Sequence, residues 1–173
     1  MGSLLACCNK HEPAAGAGFT SPTACVTLTT IPETAPKRAS LFKNVRLPAR
    51  VVRIIDGDTV EVVTRATPQE PFCTYSVRLN GCDAPELKSK LPDEVLAARA
   101  AKDFLASLLP VQSGCALACA GIDKYGRLLA DIAVAGPPAT ESVAQAMIAR
   151  GHAVPYHGGH RAPWAAHAKS PNP

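Results

Sequence analysis

Two β-branched runs, one from Arg50 to Ile55 and one from Val60 to Thr64, flank Asp56-Gly57-Asp58-Thr59. Asp-Gly between apolar runs is a strong hairpin signal. A third run begins at Thr74, where Tyr75, Val77 and Leu79 alternate with Thr74, Ser76 and Arg78. That period of two is a strand with one face toward a core, and it leaves Arg78 on the polar face as the strand ends at Asn80-Gly81. A chain that starts this way commits three strands to one antiparallel sheet, and the rest of the sequence must close or cover it.

Pro92 suits the first turn of a helix, and Asp93 and Glu94 suit its positive end. Ala-rich sequence continues to Leu109, with Ala97, Ala101, Phe104 and Leu108 as the expected buried stripe and Pro110 as the stop. Two more strands are expected near Cys115–Ala120 and Leu128–Val134, joined by Asp123-Lys124-Tyr125-Gly126. A second helix is expected from Glu141 to Arg150, capped by Thr140, with Gly151 past its end and Val143, Ala146 and Met147 facing inward. Three strands, a helix, two strands and a helix describe a mixed β+α fold, a five-stranded OB-fold barrel with two or three helices.

Residues 41–160 form this expected domain. Residues 1–40 are rich in Ala, Pro, Thr and Ser without strand or helix period, the composition of a flexible tail, and 161–173 form a Pro-containing C-terminal tail. The start, Met1-Gly2-Ser3-Leu4-Leu5-Ala6-Cys7-Cys8, is the exception. Its apolar run is too short for a secretory signal and no arginine precedes Arg38, against a transit peptide. Gly2 is the prerequisite for myristoylation, although Ala6 stands where Ser or Thr is usual. Cys7 and Cys8 are candidates for palmitoylation, and stable anchoring needs a second chain or a basic patch. Lys37, Arg38, Lys43, Arg46, Arg50 and Arg53 form a run without an acidic residue, which suits an anionic membrane, a nucleic acid or plain solvent. The expected location is the cytoplasmic face of a membrane through a lipid anchor, or otherwise the cytoplasm, and not secretion. The seven cysteines show no zinc-type pairing and are expected as reduced thiols, mostly small core residues.

Phosphodiester cleavage needs charge neutralised on the phosphoryl group, an aimed water and a stabilised leaving oxygen. Hard cations held by oxygen ligands and arginine forks meet the first need. Carboxylates with nearby arginines occur at three strand ends: Asp56 and Asp58; Arg78 with Asp83 and Glu86; and Asp123-Lys124-Tyr125-Gly126-Arg127. Each alone also reads as an ordinary polar turn.

Together and in order, Ile55-Asp56-Gly57-Asp58-Thr59-Val60, Val77-Arg78-Leu79, Asp83-Ala84-Pro85-Glu86, Asp123-Lys124-Tyr125-Gly126-Arg127 and Ala149-Arg150-Gly151 resemble the thermonuclease (staphylococcal nuclease-like) family. The resemblance covers the chain from about Leu41 to Tyr156. It implies a Ca²⁺ ion held by the carboxylates of Asp58 and Asp83 and the carbonyl of Ala84, where family members often carry Thr. It implies Glu86 orienting or deprotonating water, Arg78 and Arg127 clamping the phosphate, and Asp56 ordering the metal site from behind. Lys124, Tyr125 and Tyr156 resemble residues that contact the nucleotide's terminal phosphate or sugar. The implied activity is Ca²⁺-dependent hydrolysis of DNA and RNA with low sequence preference, leaving 3′-phosphates, by a monomer. The rival class is a non-catalytic binding module, and a third is a membrane adaptor. The chain departs from the family after Tyr156, where the last helix is expected short or absent. His152, His157 and His160 are expected as solvated loop histidines rather than metal ligands.

Overall fold

The computed structural model describes residues 41–134, 142–159 and 164. The expectations placed on the first forty residues, on Gly2, Cys7 and Cys8, on Thr140, Glu141 and His160, and on the tail and third helix after His160 lie outside the described residues. Within them are β1 (Val45–Ile54), β2 (Thr59–Thr64), β3 (Cys73–Leu79), β4 (Gly81–Asp83), α1 (Pro92–Leu108), β5 (Gly114–Ile122), β6 (Leu128–Val134), α2 (Val143–Ala149) and β7 (Val154–Tyr156).

Five of the strands close a barrel in the order β1-β2-β3-β6-β5. This is the OB-type barrel with helices that the sequence pattern implies. β1 makes closure possible by serving two partners: Val45 to Arg50 pair with β5, and Arg50 to Ile54 pair with β2. A register shift between Val51 and Arg53 bends the strand at the change-over, the usual means of turning a barrel corner. β1 therefore starts five residues earlier than its β-branched run suggests. Pro48 and the arginines 46 and 50 mask the segment, yet Val45, Leu47, Ala49 and Val51 alternate inward between them. Among the described residues β3 and β6 are the one parallel pair, with Arg78 opposite Leu129.

The barrel is filled by Val51, Val60, Val62, Val77, Leu79, Leu117, Leu128 and Ile132, all essentially without solvent exposure. α1 covers one end. Its buried residues are Ala98, Ala101 and Leu105, with Leu109 just beyond, while Ala97, Phe104 and Leu108 lie at the flank. The expected stripe is thus rotated by about one residue, because two small alanines let the helix backbone approach the barrel more closely than Phe104 would. Each fully buried leucine contributes roughly 1.5–3 kcal/mol to holding the helix there.

α2 begins at Val143, two residues after the expected start at Glu141. Its cap is Ser142, whose hydroxyl accepts from Gln145 N at 3.1 Å. Val143, Ala144 and Met147 face the core, and Ala146 is only half-buried. Gly151 adopts φ +70°, and His152 N donates to Met147 O while Gly151 N donates to Ile148 O, the Schellman closure that favours glycine. The chain leaves this turn as β7 and pairs with β4, so that Gly81 lies opposite Tyr156 and Asp83 opposite Val154. These two strands have three residues each, too few to show a period in the sequence. His152 differs from expectation, stacking on Phe104 with ring centroids 4.6 Å apart. Burial there lowers its pKa, and Arg150 adds to the effect. Cys82, Cys115 and Cys119 are buried, and burial pushes the thiols of Cys82 and Cys115 up to about 11. Lys43, Arg46, Arg50 and Arg53 are exposed, and Arg53 is tied to Glu61 at 2.6 Å. Among the described residues no helix is long and apolar enough to cross a membrane.

The β1–β2 connection uses its glycine in an unexpected way. A primed hairpin turn would need positive φ, but Gly57 is not among the residues in that region. What it lacks is room: a Cβ there would sit 2.8 Å from the Cβ atoms of both Ala101 and Ala84. Gly57 is where the turn, α1 and the exit from β4 touch. Gly57→Ala is expected to destabilise the fold by about 1–3 kcal/mol, the usual range for overpacking. Urea unfolding should show a lower midpoint at unchanged m-value, and a wild-type midpoint would contradict the close contact.

Candidate active site

The three acidic and basic segments meet at one end of the barrel. The turn after β1 delivers Asp56 and Asp58, the end of β3 delivers Arg78, β4 delivers Asp83, and the chain after β4 carries Ala84 and Glu86. Closure of the barrel through the parallel β3–β6 pair adds Arg127 from the residue before β6. Asp56, Asp58, Arg78, Asp83, Ala84, Glu86 and Arg127 line a single hollow of about 170 Å³.

Asp58 and Asp83 are 9% and 7% exposed, low for carboxylates, and each needs compensation for lost hydration. Arg78 supplies most of it, with Nη1 paired to Asp58 Oδ2 and Nη2 to Asp83 Oδ1 at 2.6 Å. Asp58 is held further by the Thr59 hydroxyl at 3.0 Å and by Ala84 N at 3.0 Å. Its backbone is fixed as well, since Leu79 N donates to Asp58 O at 2.8 Å and Asp58 N donates to Asp56 Oδ1 at 3.1 Å. Asp56 thus touches the backbone behind Asp58 and orients it. Arg78, expected as a phosphate clamp, is in addition the counter-ion of both acids. A guanidinium has five donors, so that pairing leaves others for a phosphate oxygen.

Arg127 is set by Asp123. Asp123 Oδ2 accepts from Arg127 Nε at 2.7 Å, while Oδ1 accepts from the backbone N–H groups of Tyr125 at 2.8 Å and Arg127 at 3.0 Å. One side chain therefore shapes the turn and aims the arginine, a positioning role that the sequence reading did not assign to Asp123. The signal was present, since Asp followed by a Gly-containing turn is a known local acceptor for its own backbone.

A second hollow, of about 250 Å³, adjoins the first and shares Arg78 and Arg127 with it. Lys124, Tyr125 and Tyr156 line it, together with Cys82 and His157. Tyr125 is 72% exposed, with Lys124 Nζ 4.9 Å from its ring centroid and the Arg127 guanidinium carbon 5.5 Å from it. Tyr156 reaches this wall because β7 pairs with β4, and its hydroxyl donates to Gly159 O at 2.9 Å. Every described residue singled out in the sequence for chemistry lies in one hollow or the other.

Among the described residues, no group of three or more His, Cys, Asp or Glu side chains gathers to hold a metal ion. The donors that a cation would find are the Asp58 and Asp83 carboxylates with the adjacent Ala84 carbonyl. They are all hard oxygens. That chemistry fits Ca²⁺ better than a thiolate- or imidazole-seeking metal.

The sequence profile described as staphylococcal nuclease homologue matches residues 76–169, more than half of the chain. The chain belongs to this family. No curated protein matches it. The matched segment includes Arg78, Asp83, Glu86 and Arg127, whereas Asp56 and Asp58 precede it. The contacts of Asp58 with Arg78, Ala84 and Leu79 connect the preceding turn to the matched part. Family membership accounts for the barrel and for a relationship to nucleases and nucleic-acid binding.

Burial alone would raise the Asp123 pKa, but the hydrogen bonds from Arg127 and from the Tyr125 backbone outweigh it and hold the carboxyl below its ordinary 3.8. A carboxylate with a depressed folded pKa stabilises the fold above its unfolded value and loses that contribution as pH falls through the folded one. Asp123→Asn is therefore expected to lower the urea midpoint at neutral pH, with the gap to wild type narrowing once the pH drops below about 3.8. A pH-independent gap would show that the charge contributes nothing.

Proposed function

We propose that the chain is a Ca²⁺-dependent nuclease that hydrolyses phosphodiester bonds of DNA and RNA with low sequence specificity and leaves 3′-phosphates. The observation that carries this reading is the pair of adjoining hollows, one acidic and one basic, with Arg78 and Arg127 common to both. A phosphodiester lying across the shared arginines has carboxylates on one side and room for the neighbouring nucleotide on the other.

In this reading Asp58, Asp83 and the Ala84 carbonyl hold the ion, which when bound supplies charge stabilisation for the phosphoryl oxygens. Asp56 keeps Asp58 in place through the Asp58 backbone. Glu86, exposed at the rim of the acidic hollow, takes the proton from the attacking water. Arg78 and Arg127 contact the phosphate oxygens, and these charge-assisted bonds strengthen as negative charge accumulates in the transition state. Lys124, Tyr125 and Tyr156 hold the flanking phosphate or sugar, with the exposed Tyr125 ring stiffened by the two cations beside it. None of these contacts reads a base edge, which accounts for low sequence preference.

Purified protein is expected to cleave single-stranded DNA and RNA when Ca²⁺ is added and to stop when it is chelated. Glu86→Ala and Arg127→Ala should each lower turnover by about 10²-fold or more while staying folded, Glu86→Ala at the wild-type urea midpoint and Arg127→Ala at a lower one because Asp123 loses its partner. Wild-type turnover in both variants would falsify these roles. Binding of oligonucleotides without product in excess Ca²⁺ would instead establish a binding module.

The reading extends to location. Myristoylation of Gly2 with palmitoylation of Cys7 and Cys8 would place the domain at the cytoplasmic face of a membrane. The exposed Lys43, Arg46 and Arg50 would add attraction to anionic lipid, about 1 kcal/mol per residue near the surface. In fractionated cells wild type is expected with membranes and Gly2→Ala in the soluble fraction. Identical partitioning of the two would exclude the anchor.

A further inference from the structure

Glu86 differs from the two aspartates in how it is held. Asp58 is pinned in its turn by Leu79 N on its carbonyl and Asp83 lies in β4, whereas Glu86 sits on the connection between β4 and α1 with its side chain exposed. That connection is closed by hydrogen bonds that converge on Glu94. Glu86 N donates to Glu94 Oε1 at 3.2 Å, and the Ser89 hydroxyl donates to Glu94 Oε2 at 2.5 Å. Ser89 N in turn donates to Glu86 O at 3.2 Å, and Leu91 N to the Ser89 hydroxyl at 3.2 Å.

This is an unusual use of the residue. Pro92 opens α1 and Leu91 is its N-cap, with no side-chain cap, so Glu94 occupies the third helical position. A glutamate there ordinarily reaches back to the N–H of the capping residue. Here Ser89 takes the Leu91 N–H, and both Glu94 oxygens are spent on the connection that carries Glu86. The helix itself is fixed, because Ala98, Ala101 and Leu105 are buried against the barrel. Glu94 therefore transmits the position of a rigid element to an exposed loop.

We propose that Glu94, acting with Ser89, is the positioning residue that holds Glu86 over the acidic hollow. The proposal rests on the reading of Glu86 as the group that activates water. Glu94 touches no reacting atom. Its effect is geometric, and misplacement of a reacting group by about 1 Å can cost 10²-fold in rate.

The test compares Glu94→Ala, Glu94→Gln and Ser89→Ala with Glu86→Ala and the Glu86→Ala/Glu94→Ala double variant, all in the full chain. Amide hydrogen exchange followed by NMR reads the clasp without any activity. The Glu86 N–H is expected to exchange about tenfold faster in Glu94→Ala. In cleavage assays with Ca²⁺, Glu94→Ala should lower kcat by about 10- to 100-fold, leaving KM and the Ca²⁺ half-saturation unchanged. Glu94→Gln keeps one acceptor and should recover part of the loss. In the Glu86→Ala background the Glu94→Ala change should cost nothing more, since there is no carboxylate left to position. Ser89→Ala and Glu94→Gln carry the test should Glu94→Ala fail to fold.

Unchanged exchange at Glu86, or equal kcat losses from Glu94→Ala in both backgrounds, would overturn the proposal while leaving the nuclease reading intact. A Glu86→Ala variant with wild-type kcat, or a wild-type chain without turnover, would overturn the underlying reading and the positioning role with it.

Discussion

Two carboxylates buried beside one guanidinium set the terms for the rest of this molecule. Asp58 and Asp83 come from elements 25 residues apart in sequence, and each would be costly to bury alone. Arg78 bridges them, with the Thr59 hydroxyl and Ala84 N satisfying further lone pairs of Asp58. Removing one member would leave an uncompensated buried charge, a loss typically larger than the pair's own net contribution to stability. The cluster therefore says less about stability than about specification. It fixes where the β1–β2 turn, the end of β3 and β4 lie relative to one another.

The barrel explains why those three places can coincide. β1 pairs with β5 in its first half and with β2 in its second, so the sheet closes. The end of β3 then lies beside the start of β6 in parallel, bringing Arg127 toward Arg78. At Gly81, with φ +90°, the chain breaks out of β3 and begins β4. This leaves β4 free to pair with β7 rather than continue the barrel. That small second sheet carries Asp83 on one strand and Tyr156 on the other, so the acidic hollow and the wall of its basic neighbour share one piece of backbone.

Most of this was legible in the sequence where side chains repeat or where residue type is chemically demanding. The alternation in β3, the β-branched pair around Asp56-Gly57-Asp58 and the order of the carboxylate and arginine segments pointed to a barrel with its polar residues at strand ends. What escaped were features decided by tertiary contact. The first half of β1 reads as a basic, proline-interrupted stretch, and only pairing with β5 makes it a strand. β4 and β7 are three residues each, below the length at which any period appears. The α1 stripe is centred on Ala98 and Ala101 because Gly57 and Ala84 permit a close approach, whereas hydrophobic size alone favours the larger Phe104. His152 looked solvated beside glycine, but the turn that Gly151 allows folds its ring onto Phe104. The Asp123 contacts show the same limit: its residue type announced a turn, and only the fold revealed which arginine that turn would aim.

The site's parts are held with unequal rigidity, and the inequality matches the tasks assigned to them. Ligands for a cation must keep a fixed separation, and the aspartates that would serve are anchored by backbone pairing on both sides, through Leu79 N to Asp58 O and the β4–β7 register at Asp83. A group that moves a proton must reach a water whose position depends on the substrate, and Glu86 stands on a connection outside the barrel. That connection is short, so the entropy of closing it is small, yet an exposed loop left to itself samples many arrangements. The contacts from α1 narrow that range without burying the carboxylate, which stays open to solvent. Exposure of the Glu86 side chain and constraint of its backbone are therefore compatible requirements, met by different atoms of the same residue.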